Sequence, residues 1–393
     1  MTLDTPPLFG TRPQTYIIAE AGVNHNGFLE LARDLARTAK AAGADAVKFQ
    51  TFRASALVSR AAPKAAYQRR TTPASETQRE MIANLELDLA AHHALYALCR
   101  ELEIDFLSSP FDVQSLDLLT DLGVETLKIP SGEITNGPFL VEVGRKRRRV
   151  ILSTGMSTLG EIEDALGMIT LGLLGSEDGS LQSARRCYAS DEGQRALRQF
   201  VTLLHCTTEY PAPFGEVNLQ VMTTLSRAFG LPVGYSDHTP GHAVTVAAAA
   251  LGAVVIEKHL TLDRTLPGPD QRASLEPDTF AELVTAVRQT EAALGTGVKC
   301  PTPSEAQNIH VARKSLVAAA PIARGEPFTA HNLTAKRPGC GVSPMRWAEF
   351  LGRAAERDYE SDELIDEPLG AVSESVGETV LRQNGLGGGR RRA

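Results

Sequence analysis

The chain has 393 residues, a length that suggests two or three domains. Its 42% of apolar and 22% of charged residues are typical of globular proteins, and a formal net charge of −7 argues against nucleic acid as the main partner. Five scattered cysteines match neither a disulfide framework nor a zinc-finger spacing. No apolar run is long enough to cross a membrane, and the first ten residues lack the features of a signal peptide. We therefore expect a cytoplasmic protein with no membrane partner.

Eight short apolar runs recur along the first three quarters of the chain, and a stretch with helical spacing follows most of them. In chain order the runs are TYIIAEAG, DAVKFQTF, IDFLSSPFD, ETLKIPSGE, RVILSTGMS, VTLLHCTTEYP, LPVGYSDHTPG and VVIEKHLTLD. Eight strand-then-helix units in about 295 residues predict an α/β protein with a closed (β/α)8 TIM barrel. A doubly wound open sheet is the structural alternative.

Changes in composition divide the chain further. We predict an N-terminal tail, a TIM-barrel domain, a linker, a small compact domain and a disordered tail, at residues 1–13, 14–296, 297–313, 314–370 and 371–393. Within the barrel, residues 53–75 form a long connection of the kind that serves as a lid or a binding loop. We interpret residues 172–200 as an insertion with a second helix, and we assign them no chemistry.

The carboxyl end of every predicted strand is polar, and this is the end where a TIM barrel carries its chemistry. These ends carry Glu20, Asn24 and His25; Lys48 and Gln50; Ser108 and Ser109; Lys128, Ser131 and Glu133; Ser153 and Thr154; His205, Thr207 and Tyr210; Ser236, Asp237 and His238; Glu257 and His259. One such end indicates little, but eight converging ends favour an active or binding site.

The last predicted strand carries an acid, a base and an imidazole in consecutive positions. Because side chains alternate along a strand, Glu257 and His259 share one face, and Lys258 faces the helix layer. His238 ends the preceding strand, and adjacent strands lie about 4.8 Å apart. The two histidines can therefore share one divalent metal, with water or substrate as further ligands. The alternative is two unrelated core or loop histidines.

Two other strand ends carry a lysine, Lys48 and Lys128. Lysines beside hydroxyl groups suit a phosphate or a carboxylate, and such hydroxyl donors are available at Ser131, Ser153 and Ser236. Ordinary ion pairs, or Schiff-base chemistry with a carbonyl substrate, are the alternatives. Glu20 follows an apolar run directly, so its carboxylate can act as an acid, a base or a hydroxyl acceptor, or pair with a lysine.

The motifs, in the order in which they occur along the chain, resemble those of the bacterial sialic acid synthase (N-acetylneuraminate synthase) family. The resemblance covers roughly residues 14–367, and its elements are IIAEAGVNHNG, AVKFQTF, FLSSPFD, KIPSGEI, ILSTGM, LLHCTTEYPAPFGEVNL, GYSDHTPG, VIEKHLTLD and LPGPDQRASLEPD. LTAKRPGCGVSP, in the small domain, is similar to the C-terminal antifreeze-like (SAF) domain of that family, which has a β-clip fold.

The resemblance implies that phosphoenolpyruvate condenses with N-acetylmannosamine and water, giving N-acetylneuraminic acid and phosphate by C–O cleavage. It implies a divalent metal at His238 and His259, with Mn²⁺ preferred and Mg²⁺ or Co²⁺ as alternatives. It assigns the phosphoenolpyruvate contacts to Lys48, Ser109, Lys128, Ser131, Ser153 and Ser236. It assigns catalysis to Glu20, Tyr210 and Glu257, and further substrate contacts to Asp270 and Gln50.

The resemblance also implies a domain-swapped homodimer, in which an arginine of the SAF domain reaches the sugar site of the other subunit. Arg337 occupies that place in the sequence. Thr208 stands where some relatives have an asparagine in contact with phosphate. Sister enzymes that make legionaminic or pseudaminic acid share nearly all these residues, so a diacetamido-trideoxyhexose acceptor is the open alternative to N-acetylmannosamine.

Overall fold

The computed structural model describes residues 14–65, 68–69, 72 and 75–367. The chain divides into two compact units, residues 1–295 and 296–393, which are described separately. The predicted tails, residues 1–13 and 371–393, lie outside the described residues. No helix among the described residues is long and apolar enough to span a membrane.

The first unit is built on eight parallel strands, whose order in the sheet is β3-β2-β1-β8-β7-β6-β5-β4. The first and last strands pair with each other, so the sheet is a nearly closed (β/α)8 barrel, as the repeated units predict, and not an open doubly wound sheet. The strands are β1 Tyr16–Gly22, β2 Ala46–Thr51, β3 Asp105–Pro110, β4 Thr126–Ile129, β5 Arg149–Ser153, β6 Val201–Cys206, β7 Val233–Asp237 and β8 Val255–His259.

Helices follow the strands, and most of them cover the outside of the barrel. They are α1 Leu29–Ala41, α2 Ala54–Leu57, α3 Gln78–Ala83, α4 Leu89–Glu101, α5 Val113–Asp121, α6 Gly137–Arg145, α7 Leu159–Leu173, α8 Leu181–Ala189, α9 Asp191–Phe200, α10 Gln220–Phe229, α11 Ala243–Ala250 and α12 Pro277–Leu294. The main core lies between the strands and these helices, because each strand turns alternate side chains outward.

The inward-facing side chains fill the barrel with a second, smaller apolar cluster. Its buried members are Tyr16, Ile18, Ala46, Leu107, Ile151, Leu204 and Val255. On β1, alternation places Ile18 inside this cluster and Glu20 two residues further along on the same face. Apolar packing therefore fills the middle of the barrel, and polar side chains such as Glu20 follow it toward the carboxyl ends of the strands.

The connection after β2 and the insertion after α7 depart from a minimal barrel. The connection contains α2, and Lys64 Nζ lies 2.9 Å from the carboxylate of Glu76.

The insertion contains two helices, α8 and α9, in addition to α7, where the sequence predicted only one additional helix. Ser190 explains the difference, because it follows the last residue of α8 and its hydroxyl accepts from Gly193 N–H (3.0 Å) to cap α9.

The second unit includes the predicted linker, in which α13 spans Pro303–Ala312. Thr302 and Glu305 form a capping box at its start, so this segment of the linker is helical. An antiparallel pair follows, β9 Ser315–Ala318 and β10 Leu333–Lys336, with the short helix α14 at Trp347–Phe350. The unit has its own small core, formed by Leu316, Ala318, Ile322, Phe328, Leu333, Val342, Phe350, Ala355, Tyr359 and Ile365.

Candidate active site

The carboxyl ends of the strands surround a cavity of about 260 Å³. Every residue that the family resemblance places at the site, except Arg337, lines it: Glu20, Lys48, Gln50, Ser109, Lys128, Ser131, Ser153, Thr208, Tyr210, Ser236, His238, Glu257, His259 and Asp270. The other polar residues at the predicted strand ends are not part of its lining: Asn24, His25, Ser108, Glu133, Thr154, His205, Thr207 and Asp237. Strand alternation accounts for this convergence, because each of the eight strands delivers inward-facing side chains to the same end.

Two lysines and two glutamates form a buried charge cluster on the floor of the cavity. Lys48 Nζ lies 2.5 Å from Glu20 Oε2 and 3.5 Å from Glu257 Oε2. Lys128 Nζ lies 3.3 Å from Glu257 Oε1, and the hydroxyl of Ser236 donates to the same oxygen at 2.8 Å. Each cation therefore faces the cavity already balanced by a carboxylate.

The cluster holds its two carboxylates in different protonation states. Burial raises the pKa of Glu20 to about 7, although Lys48 opposes the shift. Burial acts in the same direction on Glu257, but Lys128 and Lys48 outweigh it and lower the pKa of Glu257 to about 2. Near neutral pH, Glu20 can take up or release a proton while Glu257 stays ionised, which is the arrangement expected of an acid–base pair.

Lys48 is poorly suited to Schiff-base chemistry. Burial lowers its pKa, but the carboxylates of Glu20 and Glu257 outweigh burial and raise the pKa above its ordinary value. An amine that attacks a carbonyl group must be neutral, which requires a lowered pKa. The structure therefore favours an anion-binding role for Lys48 over an imine-forming one.

Two histidines lie side by side at the ends of β7 and β8, with ring centroids 5.5 Å apart. His238 Nδ1 donates to the carbonyl oxygen of Thr207 at 2.6 Å, since that oxygen can only accept. Nε2 of His238 is therefore the unprotonated nitrogen of a neutral ring. His259 Nδ1 is buried and has no hydrogen-bond partner among the described residues.

This pair fits a divalent metal, because neutral imidazole nitrogens are suitable ligands and the backbone contact of His238 fixes its tautomer. No group of three or more His, Cys, Asp or Glu side chains that could hold a metal ion occurs among the described residues. The two histidines would thus need water or substrate oxygens to complete a coordination shell.

Hydroxyl groups also line the cavity. The side-chain oxygens of Ser153 and Thr208 are buried and have no hydrogen-bond partner within the described part of the chain. Buried hydroxyls are normally paired, so both are available to donate to a bound anion. Gly155 allows the loops to meet here, because a Cβ at this position would lie 2.3 Å from Thr208 Oγ1 and 2.9 Å from Ser131 Oγ.

Tyr210, Asp270 and Gln50 complete the polar lining. The Tyr210 ring packs against His238, with centroids 4.2 Å apart. Burial raises the pKa of Asp270 to about 6, against the opposing charge of Lys48. Gln50 Nε2 donates to Glu20 Oε1 at 3.3 Å, which orients the glutamate.

Arg337 belongs to the second unit, where its Nε donates to the carbonyl oxygen of Ala312 at 3.0 Å. It is absent from the described lining of the cavity, which comes entirely from the first unit. Its predicted role at the sugar site stays a prediction.

Sequence reasoning missed the apolar part of the lining. This part comprises Val23, Phe52, Leu57, Met81, Ile82, Leu85 and Phe111. Most of these residues come from the connection after β2 and from α3. The length of residues 53–75 predicted a lid or a binding loop, but the short helices α2 and α3 gave no periodic pattern that could indicate which side chains face the cavity.

Two family models match the chain. The NeuB family matches residues 35–299, and the SAF domain matches residues 313–368. The N,N'-diacetyllegionaminic acid synthase of Campylobacter jejuni is 51% identical over 354 residues, covering 90% of this chain and 99% of that relative. The enzyme of the same name from Legionella pneumophila is 43% identical, covering 87% and 91%.

A solved structure is similar in both fold and sequence. It is the N-acetylneuraminic acid (sialic acid) synthetase from Leptospira borgpetersenii in complex with citrate, with 32% identity and a TM-score of 0.60. The match covers 75% of this chain and 90% of that one. This chain therefore belongs to the NeuB family of sialic acid synthases, as a phosphoenolpyruvate-dependent transferase with a C-terminal SAF domain.

Proposed function

We propose that this enzyme is an N,N'-diacetyllegionaminic acid synthase, which condenses phosphoenolpyruvate with a 2,4-diacetamido-2,4,6-trideoxyhexose. The observation that carries the proposal is the 51% identity to the Campylobacter jejuni synthase of that name, across 99% of its length. The N-acetylneuraminic acid synthetase with a solved structure is only 32% identical. The motifs implied N-acetylmannosamine as the first choice of acceptor, and these identities favour the alternative acceptor instead.

The reaction makes one carbon–carbon bond, and at C2 a carbon–oxygen bond from water replaces the carbon–oxygen bond to phosphate. C3 of phosphoenolpyruvate attacks the aldehyde carbon of the open-chain sugar, and the aldehyde oxygen takes up a proton to become a hydroxyl. Water adds to the cationic C2 and loses a proton. The bond between C2 and the phosphate oxygen then breaks, phosphate leaves with the electron pair, and the new C2 hydroxyl loses its proton to become the keto oxygen. The products are a nine-carbon 2-keto acid and inorganic phosphate.

The charge cluster can supply what these steps need. Lys48 and Lys128 would bind the carboxylate and phosphate of phosphoenolpyruvate, with Ser153 and Thr208 donating hydrogen bonds to the same anion. The ionised Glu257 carboxylate would stabilise the positive charge that develops at C2. Glu20, whose pKa is about 7, would take the proton from the attacking water.

A phosphate-release assay with three sugars tests the acceptor. The sugars are the legionaminic precursor, the pseudaminic precursor and N-acetylmannosamine, each with saturating phosphoenolpyruvate. We expect kcat/KM to be highest for the legionaminic precursor. A higher value for either of the other two sugars would overturn the proposed acceptor, and an absence of phosphate with all three would overturn the proposed reaction.

We also propose that His238 and His259 hold a divalent cation, with Mn²⁺ preferred. When bound, such a cation would polarise the acceptor aldehyde as a Lewis acid. Support comes from the tautomer of His238 and from the unpartnered ring nitrogen of His259. In equilibrium dialysis, the full-length His259→Ala protein should bind at least tenfold less Mn²⁺ than the wild-type protein. The exposed His310→Ala is the matched control, and equal binding by both variants would refute the assignment.

A domain-swapped homodimer is the third part of the proposal, with Arg337 of each subunit serving the acceptor site of the other. The support is the position of Arg337 in the SAF domain, in the motif that resembles this family. Arg337→Ala should raise KM for the acceptor sugar more than KM for phosphoenolpyruvate, with exposed Arg324→Ala as the control. Sedimentation of a monomer under assay conditions would contradict the swapped dimer.

A further inference from the structure

The cavity has two chemically different halves. The strand ends form a polar half, with lysines, hydroxyls, carboxylates and imidazoles. The other half is apolar: besides Met81, it has six neighbouring side chains, Val23, Phe52, Leu57, Ile82, Leu85 and Phe111. They pack into one cluster, in which the rings of Phe52 and Phe111 meet edge to face with centroids 6.0 Å apart.

Three members of this apolar wall are only partly covered by protein. Leu57, Ile82 and Phe111 are half-buried, while Val23, Phe52 and Leu85 are buried behind them. Apolar side chains that border a ligand cavity gain free energy when a ligand removes water from their surface. The half-buried members are therefore the ones that a substrate can contact.

A hydrogen bond and a close backbone approach hold the wall in place. Glu86 accepts from the backbone N–H of Ala54 at 2.6 Å, which ties the start of α2 to the end of α3. Gly27 packs so closely on α3 that a Cβ there would lie 2.5 Å from the carbonyl oxygen of Asn84. The first contact joins the two parts of the apolar wall to each other, and the second places the residue after α3 against the loop that follows β1.

Phosphoenolpyruvate cannot use this wall. Its phosphate and carboxylate need charged and hydroxyl donors, all of which lie in the polar half, and its only apolar group is a single CH2. The acceptor sugar is thus the substrate that contacts the apolar half. A sugar with hydroxyl groups at C4 and C6 would leave them unpaired against these side chains, which costs free energy.

We propose that Leu57 and Ile82 select the acceptor by packing against its C6 methyl group and the methyl of its C4 acetamido group. The inference rests on the proposed function and adds the residues that read the acceptor. An apolar pocket rejects an added hydroxyl group only moderately, by about 100-fold. The preference of the wild-type enzyme for the trideoxy sugar over N-acetylmannosamine, measured as a ratio of kcat/KM values, should be of that order.

Leu57→Asn tests the wall, because asparagine has nearly the shape of leucine and adds two polar atoms. We expect the preference to fall by about tenfold or more through a lower kcat/KM for the trideoxy sugar, while KM for phosphoenolpyruvate changes less than about twofold. Leu57→Met keeps the apolar surface and should retain the preference. Ile82→Thr is the second variant, so that a folding defect in Leu57→Asn, detected by circular dichroism, does not end the test.

The matched control is Leu251→Asn. Leu251 is 47% exposed and precedes β8, at the amino-terminal end of the strands, so its substitution should leave the preference unchanged. An unchanged preference in both Leu57→Asn and Ile82→Thr would overturn the selective wall and leave the proposed function standing. A wild-type enzyme that prefers N-acetylmannosamine would overturn both, and wild-type kinetics alone reveal that outcome.

Discussion

Buried lysines lie on both faces of the barrel strands, and their surroundings differ. On the inner face, Lys48 lies between Glu20 and Glu257 and borders the cavity. On the outer face, Lys258 is fully buried, lies 3.0 Å from the Asp237 carboxylate and does not line the cavity. Lys258 thus faces away from the site, as strand alternation predicts.

The two clusters differ most in how many polar atoms have partners. Outside, the Asp237 carboxylate accepts from the N–H and hydroxyl of Thr239 and from the hydroxyl of Thr245, and Lys258 donates to the Thr239 carbonyl. Inside, the Ser153 and Thr208 hydroxyls lack partners among the described residues. A fully paired buried cluster serves the fold, whereas unpaired donors around a cavity indicate a place for a ligand.

Replacing the inner lysine should give the larger effect, and the effect should be on activity. Lys48→Met removes the cation that contacts both carboxylates, so we expect kcat/KM for phosphoenolpyruvate to fall about 1000-fold, or roughly 4 kcal/mol of transition-state free energy. Stability should change little, because Glu20 can take up a proton once its partner is lost. Phosphate release and thermal unfolding measure the two effects, and a loss below tenfold would contradict the anion-binding role.

Replacing the outer lysine should instead reduce stability. Lys258→Met leaves the Asp237 carboxylate buried without a countercharge, which typically costs 3–5 kcal/mol; we expect about 3 kcal/mol, because its three hydrogen-bond donors remain. Urea unfolding followed by circular dichroism measures the loss. Asp237→Asn/Lys258→Met should recover part of it, and a single variant as stable as wild type would show that the pair is dispensable.

The sequence was sufficient to separate these two faces because strand alternation is a local rule. Glu257 and His259 fall on the inner face and Lys258 on the outer face from their positions alone, and the same rule brings Glu20 and Lys48 to one cavity. The barrel was predictable for a similar reason, since each strand-then-helix unit is local in sequence.

The apolar wall was not predictable in this way. Leu57 and Ile82 are 25 positions apart on two short helices, and tertiary packing alone brings them to one surface. The insertion was misjudged because a single serine, Ser190, both ends one helix and caps the next. The acceptor sugar depends on such a surface, which explains why the motifs identified the reaction more securely than the substrate.

His25 exemplifies a third way to bury an ionisable group, namely in its neutral form. Burial lowers the pKa of His25 to about 4, and Nδ1 accepts from the N–H of Gly27 at 3.0 Å. In the unfolded chain, His25 has the ordinary histidine pKa of 6.5 and binds a proton below that pH. In the folded protein, His25 binds a proton only near pH 4. The unfolded state therefore binds more protons between these values, and the free energy of unfolding falls as the pH falls through this window.

At pH 5 this difference should destabilise the wild-type protein by about 2 kcal/mol relative to pH 7. His25→Gln has no titrating ring, so its free energy of unfolding should fall by about 2 kcal/mol less over the same interval. Urea unfolding of both proteins at pH 5 and pH 7 measures this difference. Parallel pH profiles would mean that His25 is not held neutral by the fold.

Thr208 gives the smallest expected effect and the sharpest test of an unpaired donor. Thr208→Val keeps the shape of the side chain and removes one hydroxyl, so KM for phosphoenolpyruvate should rise about five- to tenfold, or roughly 1 kcal/mol. The neighbouring Thr207 does not line the cavity and its hydroxyl donates to the Glu216 carbonyl (3.3 Å), so Thr207→Val is a matched control. If both variants had the same KM as wild type, the unpaired hydroxyl of Thr208 would have no part in anion binding. A rise in the Thr208 variant alone would separate a ligand-binding hydroxyl from a structural one at adjacent positions of the same loop.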